Sequence, residues 1–465
     1  MRRSLELSLI VISVVAAASA LGCDSRRIGP ITPHVSRIVD VTAGSGAVAD
    51  VDLLIVVDDS GSMREEQASL RAQIPLLVQG LTSPPLTADG MPRWNPVQSL
   101  HVAVVTTDLG TSGVALAHGA AGGCGVDGVG ANVWGRDAML RTDPSCGAGS
   151  VAIWNEGDDP IAFAASVGCI ADAGITGCGF EQPLGAASRA VDRAEAGFGR
   201  PDALLAVLVL SDEEDCSLGD ANAFFGGLGD PRQLSTYCVD HPELLASMDE
   251  LAASLRGSRE DDHFVFAAIV GIPEELSGAG PAAILADPRM TYVPDPSATN
   301  GLRAACRALN GDGTSRGDAT PGRRYAELAQ HLPDSLLWSI CAESYAPAID
   351  ELTQRIGARL PGVCTTRSLT PEPDGSVPCF VHMTLPTGLD CSTLPGALAL
   401  GPDSDGRPVC DLPQAIGGGS GWFYDTADAT CPRLSFSPDA VPPLGTIVRL
   451  QCLVDVERPS LPAGG

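Results

Sequence analysis

The sequence contains no lysine, so its 29 basic residues are all arginine in a chain of 465 residues. A chain without lysine lacks a phosphate-loop lysine, and it lacks the amine that forms a Schiff base with a carbonyl substrate. Acidic residues number 57, and the formal net charge is −28. This negative charge argues against nucleic acid and against an anionic membrane surface as partners, because both would repel the chain.

The signatures of a zinc protease and of metal binding by paired cysteines are also missing. The seven histidines are scattered, and none lies in the His-Glu-x-x-His pattern of a zinc protease. No two cysteines have the Cys-x-x-Cys spacing of zinc ribbons and thioredoxin-like redox sites. Aromatic residues make up only 4% of the chain, whereas apolar residues at 44% are ample for a core.

The first 22 residues have the features of an export signal. Arg2 and Arg3 precede an apolar stretch from Leu7 to Leu21, which is too short to span a bilayer comfortably. The stretch ends in Gly22-Cys23, which resembles the lipobox of bacterial lipoproteins, whose Cys is acylated and becomes the new N-terminus. Ala20 stands where that family usually has Leu. The alternative is an ordinary secretory signal in which Cys23 forms a disulfide.

The cysteine count agrees with export to an oxidising compartment. There are 15 cysteines, and 14 remain when Cys23 is set aside as the lipid carrier. An even number in an exported protein predicts disulfides. We expect neighbours in sequence to pair because they bracket single loops: 124 with 146, 169 with 178, 216 with 238, and 306 with 341.

One stretch combines a buried strand with a possible metal site. Leu53–Val57 is an unbroken apolar run, which is typical of a parallel strand covered on both faces. Asp58, Ser60 and Ser62 follow it, and Gly61 allows a tight turn that points their oxygens at one place. Hard oxygen ligands suit Mg²⁺, Mn²⁺ or Ca²⁺. Without a metal, the same residues would serve as a helix cap.

This pattern resembles the metal-ion-dependent adhesion site of von Willebrand factor type A (vWA) domains, which begins with Asp-x-Ser-x-Ser after the first strand. The resemblance implies that Asp58, Ser60 and Ser62 bind one divalent cation, Mg²⁺ or else Ca²⁺ or Mn²⁺. In the family, a later strand ends in an Asp that completes the site. Here the apolar run Ala203–Leu210 ends near Asp212, which matches that position.

The second loop departs from the family. A vWA domain has a Thr just before the next helix, but alignment of the helix starts puts Glu181 at that position. Thr176 is the alternative ligand. A third carboxylate in place of a neutral hydroxyl should tighten cation binding and weaken the attraction of the bound ion for an acidic ligand.

The arrangement of the chain predicts a doubly wound, mostly parallel, Rossmann-like α/β sheet of the vWA type with long insertions, because buried apolar runs alternate with amphipathic helices. A cysteine-rich, proline-rich tail predicts a small, disulfide-rich β domain. The predicted segments are a lipoprotein signal peptide (1–22), a tether (23–49), the vWA domain (50–361) and the β domain (362–465).

The resemblance extends to the cysteine-rich vWA lipoproteins of bacteria. It implies a membrane-anchored lipoprotein of the cell envelope, facing the periplasm or the cell surface, that binds a protein partner through the cation and an acidic residue of that partner. A structural envelope protein, in which the metal only stabilises the fold, is the alternative. An enzyme is not expected: a haloacid-dehalogenase-type phosphatase, for example, needs an Asp where Ser60 stands and a downstream lysine.

Overall fold

The computed structural model of the protein describes residues 36–44, 50–86, 93–114, 133–360, 363–364, 369–425 and 433–455, with gaps of one to four residues inside these ranges. The predicted signal peptide and Cys23 lie outside the described residues, as does Cys124. Within the described part of the chain, every helix is too short or too polar to span a lipid bilayer.

The strands and helices alternate through most of the chain. The strands in the described ranges are β1 (Ser36–Gly44), β2 (Asp50–Val57), β3 (Ser99–Thr106), β4 (Val151–Asn155), β5 (Leu204–Leu210), β6 (Phe264–Val270), β7 (Cys306–Leu309), β8 (Ser315–Ala319), β9 (Ser335–Ser339), β10 (Val363–Cys364), β11 (Cys379–Thr384), β12 (Leu398–Pro402), β13 (Pro408–Leu412), β14 (Trp422–Asp425), β15 (Arg433–Phe436) and β16 (Ile447–Asp455). The helices there are α1 (Arg64–Thr82), α2 (Pro160–Ile170), α3 (Pro183–Arg193), α4 (Ala221–Gly227), α5 (Leu234–Asp240), α6 (Met248–Arg256), α7 (Pro281–Ala286), α8 (Arg323–Ala329) and α9 (Ala346–Arg359).

A six-stranded, mostly parallel sheet is the centre of this mixed α/β fold. Its order is β4-β3-β2-β5-β6-β9. The strands β3, β2, β5, β6 and β9 are parallel, and the edge strand β4 is antiparallel to β3. With the sheet's strands numbered along the chain this is the order 3-2-1-4-5-6, in which ligands bind where the order reverses, at the carboxyl ends of β2 and β5.

The residues of β2 show why the apolar runs are unbroken. Leu53, Ile55 and Val57 lie in one buried cluster with residues of α1, α2 and α9. Leu54 and Val56 lie in a second cluster with residues of α3, α6 and α8. Alternate side chains of a strand point to opposite faces, so both faces of the sheet are covered and every position of the strand is buried.

Helix α1 follows the turn at residues 58–63 and continues further than the sequence suggests. Pro75 predicts a kink or an end, but α1 includes Pro75 and continues to Thr82. A proline inside a helix costs a backbone hydrogen bond. Leu77, Val78 and Leu81, which follow Pro75, are buried in the core cluster, and this packing offsets the loss.

The residues before and after the α/β region form further sheets. A five-stranded sheet has the order β1-β16-β11-β13-β12, and a three-stranded sheet has the order β10-β15-β14. Residues 36–44, predicted to be part of a tether, form β1, because pairing with β16 satisfies their backbone groups. Residues 40–451 form one compact unit, and residues 36–39 and 452–455 belong to a second. The boundary between 361 and 362 stays a prediction.

Disulfides confirm two of the four predicted pairs. Cys216–Cys238 and Cys306–Cys341 are bonded as expected, and Cys391–Cys410 is a further bridge. The pairs 124–146 and 169–178 are wrong, because Cys146 bonds to Cys169. Cys146 ends a short 3-10 turn that packs on α2, which carries Cys169, so the tertiary fold places these two closer than their sequence neighbours. The other disulfide-bonded cysteines of the described ranges are Cys178, Cys379 and Cys452.

Candidate metal centre

Asp58 is the first polar residue beyond β2, and it is completely buried. Its backbone N–H donates to the carbonyl of Leu210 at 3.0 Å, which places the ends of β2 and β5 side by side. The N–H of Ser60 donates to Asp58 Oδ1 at 2.8 Å, and the hydroxyl of Ser211 donates to Oδ2 at 2.7 Å. The carboxylate is therefore oriented from both strand ends before any ion binds.

The two serines of the motif lie together beside this carboxylate. Ser60 Oγ and Ser62 Oγ are 3.2 Å apart. Ser60 is buried, whereas Ser62 is exposed. The hydroxyl of Ser62 also hydrogen-bonds the carboxylate of Asp212, which comes from the other strand. The turn thus brings the predicted ligands Asp58, Ser60, Ser62 and Asp212 to one place at the carboxyl edge of the sheet.

Asp212 supplies the clearest sign of a missing partner. It is buried, and its Oδ1 atom has no hydrogen-bond partner in the described structure. Burial and the nearby carboxylate of Asp58 raise the pKa of Asp212 to about 8. A buried carboxylate oxygen without a partner is unfavourable. A cation beside the two serines would give it one.

Glu181 lies at the same edge but is engaged differently. It is buried, its Oε2 accepts a hydrogen bond from the hydroxyl of Thr107, and its Oε1 has no partner among the described residues. Burial, and then the charge of Asp58, raise the pKa of Glu181 well above its usual range. The alternative residue Thr176 is exposed. Glu181 therefore has one oxygen held by Thr107 and one oxygen that a cation or a proton would satisfy.

Three side chains that the sequence did not point to hold this edge together. Ser211 and Thr107 bind the carboxylates of Asp58 and Glu181, as described above. The side-chain amide of Gln67, on α1, donates to the carbonyl of Asp58 at 2.7 Å and to that of Gly174 at 2.8 Å. Ser211 and Thr107 directly follow buried strands, and this is the only signal that could have identified them.

Asp59 adds a further buried charge. Both of its carboxylate oxygens are inaccessible and have no hydrogen-bond partner among the described residues. Burial, the charge of Asp108 and the charge of Asp58 raise the pKa of Asp59 to about 7. The carboxyl edge is thus rich in carboxylates that favour either protons or a cation.

The donor atoms are all oxygens, which fits a hard divalent cation, but they do not form a cage of carboxylates. Within the described ranges, no three His, Cys, Asp or Glu side chains are grouped so that they could hold a metal ion. Of the predicted ligands Asp58, Ser60, Ser62, Glu181 and Asp212, the two hydroxyls and the unpartnered oxygens of Asp212 and Glu181 are the atoms that could coordinate an ion. Two hydroxyls with one or two direct carboxylate oxygens suit Mg²⁺, which keeps several of its waters.

A Gly-x-Ser-x-Gly pattern, typical of serine hydrolases, occurs at residues 313–317. It lacks the required strand-to-helix turn, because Ser315 begins β8 of a two-stranded ribbon. The Ser315 hydroxyl donates to Asp318 Oδ1 at 3.2 Å. This serine therefore does not have the setting of a nucleophile.

Comparison with known proteins adds no family. No protein-family model and no curated protein matches the sequence. Three solved structures are similar to it: proximal thread matrix protein 1 from the mussel byssus (9% identity, TM-score 0.27, 69% of this chain and 48% of that one), the human COPII-coat protein Sec24c (7%, TM-score 0.29, 90% and 46%) and the pilus adhesin RrgA from Streptococcus pneumoniae (13%, TM-score 0.22, 90% and 58%). The chain spans about half the length of these proteins, and TM-scores this low carry no argument about fold or function.

Proposed function

We propose that this chain is an exported, lipid-anchored protein of the bacterial cell envelope that binds a protein partner through a divalent cation held by a vWA-type site. One observation carries the proposal. Asp58, Ser60, Ser62 and Asp212 come from two adjacent parallel strands, and the structure gathers them at one edge with an oxygen of Asp212 left unpartnered.

The sheet topology supports the same proposal. The site lies at the carboxyl ends of β2 and β5, where the strand order reverses, and open α/β sheets bind their ligands there. The antiparallel edge strand and the helices on both faces agree with a vWA-like domain. When bound, the cation would supply an open coordination position, and an acidic residue of the partner would fill it.

Each residue has a distinct part in this proposal. Ser60 and Ser62 would coordinate the ion, because their hydroxyls converge. Asp58 already accepts two hydrogen bonds, so it would contact the ion through a water molecule or would support the two serines without contacting the ion. Asp212 would coordinate through Oδ1. Glu181 would contribute the charge of its unpartnered oxygen, and the acylated Cys23 would anchor the chain.

A pulldown from native envelopes tests the proposal. The bait is the mature chain, in 5 mM Mg²⁺ or in chelator, as wild type, as Asp58→Asn and as the control Asp159→Asn. Asp159 caps α2 far along the sequence, and Asn is an equally good cap, so the control should bind as wild type does. We expect a specific protein that is retained only with Mg²⁺ and not by Asp58→Asn. Retention that is equal in chelator would instead favour the structural envelope role.

A further inference from the structure

A cleft opens beside the candidate metal centre. Its cavity has a volume of about 780 Å³, and Ser62, Asp212 and Glu213 form one side of it. Residues 295, 297–298, 300, 302–307 and 316–320 form the other side. The cleft is within the usual size range of a binding pocket. A ligand on the cation would therefore extend along a wall made by the segment between β6 and β9.

This wall is fixed to residues 212–214 by two hydrogen bonds, and a disulfide braces it elsewhere. The N–H of Thr320 donates to the carbonyl of Asp212 at 2.9 Å. The hydroxyl of Tyr292 donates to the buried carboxylate of Glu214 at 2.5 Å. The Cys306–Cys341 disulfide ties the start of β7 to the residues that follow β9. A preformed wall lowers the ordering cost of binding, so its side chains can contribute to affinity and specificity.

The arginines of the wall differ in how they are engaged. Arg307 forms two hydrogen bonds of 2.7 Å with the carboxylate of Asp318, so its charge is already paired. Arg316 donates to the carbonyl of Ala342 at 3.0 Å. Arg303 is exposed, and none of the hydrogen bonds and ion pairs found in the described ranges engages its guanidinium. Arg303 is thus the cleft arginine whose donors remain available.

The carboxylate of Asp295, which also lines the cleft, does not use these donors. Asp295 accepts hydrogen bonds from the N–H of Ser297 at 2.9 Å and from its hydroxyl at 2.5 Å. Those two bonds lower the pKa of Asp295 more than the charge of Arg303 does. Since no described residue hydrogen-bonds the planar guanidinium of Arg303, it can hold a carboxylate through two parallel bonds.

We infer that the partner presents two carboxylates to this cleft, one for the cation and a second for Arg303. The inference rests on the proposed function, because the first carboxylate needs the bound ion. It assigns Arg303 as a specificity residue: partners with a single acidic residue fill the cation position only, whereas a segment with a second acidic residue at the right spacing also pairs with the guanidinium.

Peptide binding measured by fluorescence anisotropy tests the inference. The probes are labelled Gly/Ser octapeptides that carry either one Glu or two Glu separated by zero, one or two residues, in 5 mM Mg²⁺ or in chelator. For at least one spacing we expect the two-Glu peptide to bind about tenfold more tightly than the one-Glu peptide. Arg303→Ala should remove this gain and leave binding of the one-Glu peptide unchanged. Arg256→Ala, which removes the same charge outside the cleft, should keep the gain.

The outcomes separate this inference from the function on which it rests. Binding of both peptides that needs Mg²⁺, but without a gain from the second Glu at any spacing, overturns the role of Arg303 and leaves the cation site standing. A gain that is lost equally in Arg256→Ala also overturns it, because net charge would then be the cause. A gain that persists in chelator overturns the cation-dependent function. Absence of any peptide binding overturns both.

Discussion

Replacing Asp58 by Asn separates two effects of this residue: the free-energy cost of burying a carboxylate and its proposed role in binding a metal ion. The two side chains have nearly the same shape. In Asp58→Asn the amide oxygen still accepts from the N–H of Ser60, and the amide nitrogen faces the hydroxyl of Ser211, which can accept. The turn should therefore keep its geometry, and the protein should fold.

The sign of the effect depends on the cation. Burial raises the pKa of Asp58, so the ionised carboxylate is unfavourable in the metal-free protein. Without metal, Asp58→Asn should melt at the same temperature as wild type or at a higher one. A cation at about 100 times its dissociation constant should stabilise wild type by roughly 2.7 kcal/mol. In a compact unit of this size that corresponds to a rise of roughly 3 °C in the melting temperature.

Thermal melts followed by circular dichroism measure both effects. Wild type, Asp58→Asn and the capping control Asp159→Asn are compared in chelator and in millimolar Mg²⁺, Mn²⁺ or Ca²⁺. We expect the two proteins that retain Asp58 to shift with metal and Asp58→Asn not to shift. A wild-type melt that no ion moves would sink the metal site. A shift that Asp58→Asn retains would place the ion elsewhere.

Three further predictions concern pH, the second loop and the anchor. Because burial raises the pKa of Asp212 to about 8, a cation must displace the proton of this carboxyl group. The apparent affinity of the protein for Mg²⁺ should therefore fall by about tenfold for each pH unit below 8. Titration calorimetry at pH 6, 7 and 8 that gives one constant affinity would contradict this. In metal-free protein the same raised pKa makes stability fall as pH rises towards 8. Glu181→Thr should weaken Mg²⁺ binding and strengthen binding of an acidic partner; an unchanged ion affinity would move the second-loop ligand to Thr176. Cys23→Ser should move the exported protein from the detergent phase to the aqueous phase in detergent partitioning, and a wild-type protein already in the aqueous phase would refute lipidation.

The central strands could be predicted because they are buried on both faces. The run Leu53–Val57 lies in β2, and Ala203–Leu210 contains β5. Parallel strands place their carboxyl ends at one edge, so the approach of Asp58 and Asp212 also follows from the sequence. What the sequence does not contain is the order of the strands, and the hydrogen bond from Ser211 to Asp58 depends on that order.

Short strands at the edge of the sheet could not be predicted, because their sequence signal is too brief. The Gly-rich stretch from Gly110 to about Asp159 predicts a long insertion, yet Val151–Asn155 within it forms β4 against β3. Its alternation, with Trp154 buried and Ile153 exposed, is a signal only five residues long. Such a strand is stabilised by long-range pairing rather than by local preference. The pairing of Cys146 with Cys169 depends on tertiary packing in the same way.

The bridges at the carboxyl edge have a consequence for where the binding surface can form. Cys216 follows Asp212 closely, its N–H donates to the carbonyl of Glu181 at 2.9 Å, and it is bonded to Cys238. Cys306 is bonded to Cys341 in the cleft wall. The sheet itself needs neither bridge, since its strands are held by backbone pairing and by two buried clusters. We expect a newly made chain under reducing conditions to form the sheet while its edge loops stay untied, so that the surface matures only after oxidation. On the export and partner binding proposed above, the protein would become able to bind only in the oxidising compartment, and a partner made in the same cell would not be captured in the cytosol.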